Sequence, residues 1–228
     1  MGAVFGYIGL LNRYHLTTDR IRVIRDAGLS LGLFHEGGAG KTFNAALGKQ
    51  HATDALGHAQ SLGIPHGVGI CPSVDYDMPT SDFAGLRAYL SAWKAVMGGM
   101  YRTGLYGPPQ VLTAFRSEVD YIIQPSAWSG GKRLPGIAMW QNSVSTTLCG
   151  INVDVDEVYD ASILWGVGNV TVPSDVKGTQ WEEVVTWAVD NGVMFTYHDG
   201  TFKPDQPVSR GQVAASLENL YKLIKSGK

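Results

Sequence analysis

Short apolar runs that alternate with helical periodicity constrain this chain most, because that alternation pairs strands in parallel through right-handed crossovers. The first run covers residues 4–10. TTDRIRVIRDAG follows as a helix, with Thr17 or Thr18 as N-cap, Ile21 and Ile24 on one face, and Gly28 as terminator. LSLGLFHE is the next strand, and a long helix is predicted over 43–62. After GVGICPSVDYD, the spacing of Phe83, Leu86, Leu90, Trp93 and Met97 predicts a helix over 82–97. YRTGLYG, a short helix near 111–119, and then DYIIQPSAW, GIAMWQ and INVDVDEVY complete the series, the last three with little helix between them. Near-continuous apolar strands argue for burial on both faces. The predicted fold is α/β, a TIM-like (β/α) barrel one strand short of closure, with a flavodoxin-like open sheet as its competitor.

Near Val172 the pattern changes. A helix over 181–190, a Gly-rich polar loop and a final helix opened by Ser209 form a second, mainly helical unit near the lower limit for independent folding. The expected organisation is a barrel over 1–168 and a small module over 172–228.

The formal charge of the 228-residue chain is -2, so nothing in the totals points to nucleic acid or an acidic membrane surface as partner, and neither is expected. The opening MGAVFGYIGLLNRYH is too short and too Gly-broken to span a membrane, and it lacks a basic leader and a cleavage site. Cys71 and Cys149 each lie in an apolar segment, and reduced buried thiols are the expected state over a disulfide.

Polar side chains gather where the strands end: Glu36, Asp75 and Asp77, Tyr106, Gln124 and Trp128, Trp140 and Gln141, then Asp154, Asp156 and Glu157. In a parallel α/β fold the carboxyl ends of all strands share one rim, so these residues converge. Crowded carboxylates raise one another's pKa and divide into proton donor and charge stabiliser, while Trp, Tyr and Gln supply stacking faces and hydrogen bonds for sugars. Side chains two apart on a strand point the same way, so Asp75 pairs with Asp77 and Asp154 with Asp156. Trp93 and Trp187, at helical spacing with other apolar residues, are expected in cores. His51 and His58 share a helix face without a third ligand, so neither metal nor cofactor is expected. EGGAGKT (36–42) lacks the spacer of a phosphate loop.

The series YIG, LTTDRI, AGLSLGLFHE, GKQHATDALGHAQSLGIP, VDYDM, GLYG, QPSAWS, MWQ and VDVDEVY resembles the glycoside-hydrolase-like domain of actinobacterial secreted proteins and actinophage lysins, a TIM-barrel relative of the family 25 muramidases. The resemblance implies a rim site of Glu36, Asp75, Asp77 and Asp154 with Tyr106, Gln124, Trp140 and Gln141 beside them, to which the strand-end reading adds Trp128. Relatives usually open with a Gly-Phe-Asp strand, and this chain starts at what looks like their second; the muramidases also carry Asp-x-Glu where VDYD gives Asp-x-Asp. YHDGTFKPDQPVSRGQVA is similar to an S-layer homology module, and its Arg210 matches the arginine that meets an anionic wall polymer in relatives. Together these imply a cell-wall lysin that hydrolyses peptidoglycan or another wall glycan outside the cell, with self-association through the module as a further expectation. The alternative is a catalytically silent glycan-binding or virion structural protein.

Overall fold

A computed structural model describes residues 2–9, 15–37, 42–148, 150–165, 172–197 and 200–225. One seven-stranded sheet runs in chain order: β1 (Ala3–Tyr7), β2 (Ser30–His35), β3 (Gly69–Pro72), β4 (Arg102–Tyr106), β5 (Tyr121–Pro125), β6 (Met139–Leu148) and β7 (Ile151–Val158). The first six pair in parallel, with registers such as Tyr7 on Phe34 and His35 on Pro72. Helices α1 (Thr18–Asp26), α2 (Ala45–Ser61), α3 (Phe83–Met97) and α4 (Pro109–Phe115) connect them. The result is a mixed α/β half-barrel sheet with helices; among the described residues β1 and β7 are not hydrogen-bonded to each other.

Local chemistry explains the elements. Thr17 caps α1, its hydroxyl accepting from Arg20 N at 3.2 Å, and Gly28 leaves the helix at a φ of 72°. Asn44 caps α2 by accepting from Leu47 N at 2.9 Å. The buried stripe of α2 is small: Gly48, Ala52, Ala55 and Ala59, with His51 among them. That stripe lets α3 approach closely, and a Cβ on Gly48 would stand 2.3 Å from Tyr89 O. Leu86, Leu90, Trp93 and Met97 of α3 are buried at the predicted spacing. Complete burial of a side chain such as Leu90 stabilises by roughly 2 kcal/mol.

Two apolar clusters sandwich the sheet. Leu31, Leu33, Ile70, Leu105, Ile122 and Trp140 face the helices, whereas Phe34, Cys71, Tyr106, Ile123 and Met139 face the concave side. Phe5 and Tyr7 of β1 and Val158 of β7 pack on the same concave cluster, so the sheet curls.

The last strand pair corrects the expectation of parallel pairing. Strand β7 runs antiparallel to β6, because two residues between Leu148 and Ile151 allow a hairpin but no crossover. A register shift between Gln141 and Ser145 bends this hairpin. Strand β3 also ends earlier than expected, at Pro72, and Asp75 to Asp77 therefore lie in the loop beyond it.

The C-terminal unit contains α5 (Glu182–Asp190) and α6 (Arg210–Lys225). Ser209 opens α6 with a reciprocal capping box: Gln212 N donates to Ser209 Oγ at 3.2 Å, and Ser209 N donates to Gln212 Oε1 at 2.7 Å. Asp175 holds the backbone at Phe202 and Lys203 by accepting from Phe202 N at 2.9 Å and Lys203 N at 2.6 Å. Trp187 corrects another expectation: it stays 49% exposed on α5, whereas Trp93 is completely buried. Arg25 of α1 reaches Asp190 of α5 at 2.8 Å and lies over the Trp165 ring at 4.9 Å, joining the two units.

Cys71 is a free buried thiol, while Cys149 lies outside the described residues, as do residues 10–14 of the opening segment and 38–41 of EGGAGKT. Among the described residues no helix is long and apolar enough to cross a membrane.

Candidate functional site

A cleft of about 220 Å³ opens at the carboxyl rim of the parallel strands, lined by Tyr7, Phe34, Glu36, Ser73, Asp75, Tyr106, Gln141 and Asp154. Strand alternation selects this set. Phe34 and Glu36 point to the concave side two residues apart, while His35 between them turns to α2 and α3 and meets His51 and Trp93, at ring centroid distances of 4.7 and 5.2 Å. Met139 and Gln141 face inward by the same rule, and Tyr7 continues the inward row of Phe5. Asp154 reaches the rim by the opposite route: β7 runs back from it, so the acid near the start of the strand meets the ends of the others.

Three acids therefore share one mouth. Among the described residues, Glu36, Asp75 and Asp154 have neither a hydrogen-bond donor nor an ion-pair partner. Partial burial pushes the Glu36 carboxyl above its ordinary value, and the charge of Asp75 adds to the shift. Behind Asp154 stands Asp156, whose Oδ1 is buried without a partner among the described residues. Burial, and then the Asp154 charge, push the Asp156 carboxyl up to about 6. Tyr7 lies within the field of all four acids; burial raises its phenol first, followed by Glu36, Asp75, Asp154 and Asp156.

Hydrogen bonds fix the wall opposite. Tyr106 Oη donates to Gln141 Oε1 at 2.6 Å, and Ser73 Oγ donates to His35 O at 3.3 Å. Phe34 packs edge-on to Tyr106 at 5.6 Å.

Six candidates from the sequence stand elsewhere. Asp77 is exposed and accepts from Gln110 Nε2; the strand pairing that would have aligned it with Asp75 ends with Ser73 and Val74. Gln124 is fully buried and holds the loop after β5, donating to Lys132 O at 2.9 Å and accepting from Leu134 N at 2.8 Å. Trp140 faces the helices, 4% exposed, beneath Arg133 at 4.8 Å. Arg133 in turn grips Glu157 through two contacts of 2.7 Å, so Glu157 also belongs to the outer face. Trp128 is exposed in the loop after β5 and does not line the cleft. Arg210 is exposed in the first turn of α6.

Tyr7, Ser73 and Phe34 were not anticipated. The inward parity of Phe34 with Glu36, two residues away, was the available signal; for Tyr7 the signal was its place at the end of an apolar run. Among the described residues, no group of three His, Cys, Asp or Glu is arranged to hold a metal ion.

Two solved structures share this architecture. No curated protein matches the sequence. The crystal structure of the Mycobacterium tuberculosis Tat-secreted protein Rv2525c in complex with L-tartrate is similar in fold, with a TM-score of 0.61 and 21% identity, covering 67% of this chain and 78% of that one. An uncharacterized B. stearothermophilus protein is similar with a TM-score of 0.53 and 20% identity, over 71% of this chain and 86% of that one. A glycosyl hydrolase 25 of Streptococcus pneumoniae gives a TM-score of 0.49 at 11% identity, covering 68% of this chain and 75% of that one. Residues 174–214 match the S-layer homology domain. The comparisons give no support to self-association through that module. Residues 1–164 match the Rv2525c-like, glycoside hydrolase-like domain, and the chain belongs to that family.

Proposed function

We propose that the rim cleft binds and hydrolyses a cell-wall glycan, with peptidoglycan as the substrate, and that the S-layer homology module, through Arg210, holds the protein at the wall of a cell surface. The convergence of Glu36, Asp75 and Asp154 on one cleft without protein partners carries this reading, since like charges gathered at one mouth repel one another and leave their acceptor capacity to a ligand. Glu36, whose carboxyl is held above its ordinary value, is the general acid that protonates the leaving oxygen. Asp75 or Asp154 is the carboxylate that stabilises the oxocarbenium-like transition state. Tyr106 and Gln141 form the wall against which the sugar rests.

A second reading, a silent glycan-binding or virion structural protein, is favoured by one observation: the second acid of VDYD, Asp77, is engaged by Gln110 outside the cleft. Reducing-end release from purified peptidoglycan separates the two. The enzyme reading expects turnover that falls at least a hundredfold in Glu36→Gln. Retention on cell walls without any turnover selects the silent binder.

A further inference from the structure

The donor inventory of the cleft is lopsided. Ionised Asp75 and Asp154 only accept hydrogen bonds, and Glu36 as the general acid commits its one hydrogen to the leaving oxygen. Tyr106 spends its hydrogen on Gln141, and Ser73 spends its own on the backbone of His35. What remains for a ligand acceptor is the Gln141 amide and the hydroxyl of Tyr7, at which no described residue donates or accepts. Tyr7 is set apart by its surroundings, a neutral O–H donor amid carboxylates on a strand end that lines the cleft.

A ligand that matches this arrangement offers many donors and, next to one of them, a strong acceptor. An acetamido group has that form: its N–H suits a carboxylate and its carbonyl oxygen suits the phenol. A plain hydroxyl satisfies a carboxylate but is a weaker acceptor for the phenol, and an anionic substituent is repelled by the acids.

We infer that Tyr7 is a specificity-determining residue whose hydroxyl donates to the carbonyl oxygen of a 2-acetamido sugar, while a neighbouring cleft carboxylate takes the amide N–H. This rests on the glycan reading of the cleft, and it assigns to Tyr7 a role that the acids alone cannot perform.

The test uses the full chain with two uncharged tetrasaccharides, chitotetraose and cellotetraose, which differ in carrying acetamido or hydroxyl groups at C2. Calorimetric titration of the unchanged protein is expected to favour chitotetraose by about tenfold or more, the range of one well-placed hydrogen bond. Tyr7→Phe is expected to weaken chitotetraose by about tenfold and to leave cellotetraose within about twofold. A Tyr7→Phe protein that keeps the full preference overturns the assignment while leaving the cleft a glycan site. Equal affinity of the unchanged protein for both sugars overturns acetamido recognition, and binding of neither removes the glycan reading along with it. Independently of any variant, nuclear Overhauser contacts between the acetyl methyl protons and the Tyr7 ring are expected in the wild-type chitotetraose complex, and their absence would overturn the contact.

Discussion

Tyr106 of β4 donates its phenolic hydrogen to Gln141 of β6 at 2.6 Å, bridging over β5 on the concave side of the sheet. Burial holds the Tyr106 phenol far above its ordinary value, so it remains a donor at any pH the fold survives. Tyr106→Phe leaves the Gln141 carbonyl without its donor; a loss of about 1 kcal/mol in urea unfolding is expected, with a further weakening of glycan binding of several-fold.

The acids should separate by position. Glu36→Gln and Asp154→Asn are expected to lower glycan turnover by about a hundredfold or more, whereas Asp77→Asn, outside the cleft, is expected to stay within about threefold. Reducing-end assays on the same peptidoglycan preparation read all three, and a collapse in Asp77→Asn alone would contradict the placement.

Glu36 also offers a direct electrostatic test. Its carboxyl is raised by burial first and by Asp75 second, so Asp75→Asn should move its titration to lower pH without restoring the ordinary value. Carboxyl-carbon NMR of the folded protein follows this shift, and an unchanged Glu36 titration would show that the two acids do not sense each other.

Asp156 links the site to stability. Its carboxyl titrates near 6 in the folded chain against a value of 3.8 without the fold, so the folded state binds a proton more tightly than the unfolded state. The charged form is the one the fold disfavours: stability is greatest below about pH 4 for this group and declines as pH rises through 6. Asp156→Asn is therefore expected to gain about 1 kcal/mol at pH 7, after allowance for solvent screening, and nothing at pH 4. Urea midpoints at the two pH values decide it.

Two glycines on α2 make a matched pair. A Cβ at Gly48 would meet Tyr89 O at 2.3 Å, whereas one at Gly57 meets nothing within 4 Å. Gly48→Ala should cost about 2 to 3 kcal/mol by forcing α2 from α3. Gly57→Ala should gain about 0.5 to 1 kcal/mol from helix propensity. Thermal unfolding of both variants gives the comparison.

Much of the fold was legible because its helices carry their own punctuation: Thr17, Gly28 and Ser209 mark ends that the backbone honours. The acids Glu36, Asp75 and Asp154 were legible as strand-end residues. Trp140 beside Gln141 shows where sequence reasoning fell short, since adjacent strand residues face opposite ways and both cannot enter one cleft. Gln124 carried a further ambiguity, because a buried amide serves a loop as readily as a ligand, and only the partners at Lys132 and Leu134 decide which. Asp77 misled because apolar residues do not mark where β3 gives out: backbone pairing carries on past Pro72 only as far as Ser73 and Val74, short of Asp77. The reversal of β7 was written in its short connection to β6, a signal outweighed by the parallel rhythm before it.

That hairpin makes one wall of the mouth depend on pairing register. Asp154 and Asp156 alternate with Val155 along β7, so a one-residue slip of β7 against β6 would turn both acids outward and bring valine inward. Such a slip would keep the scaffold yet replace one acidic wall of the cleft by an apolar one, leaving Glu36 and Asp75 to face valine where Asp154 had stood.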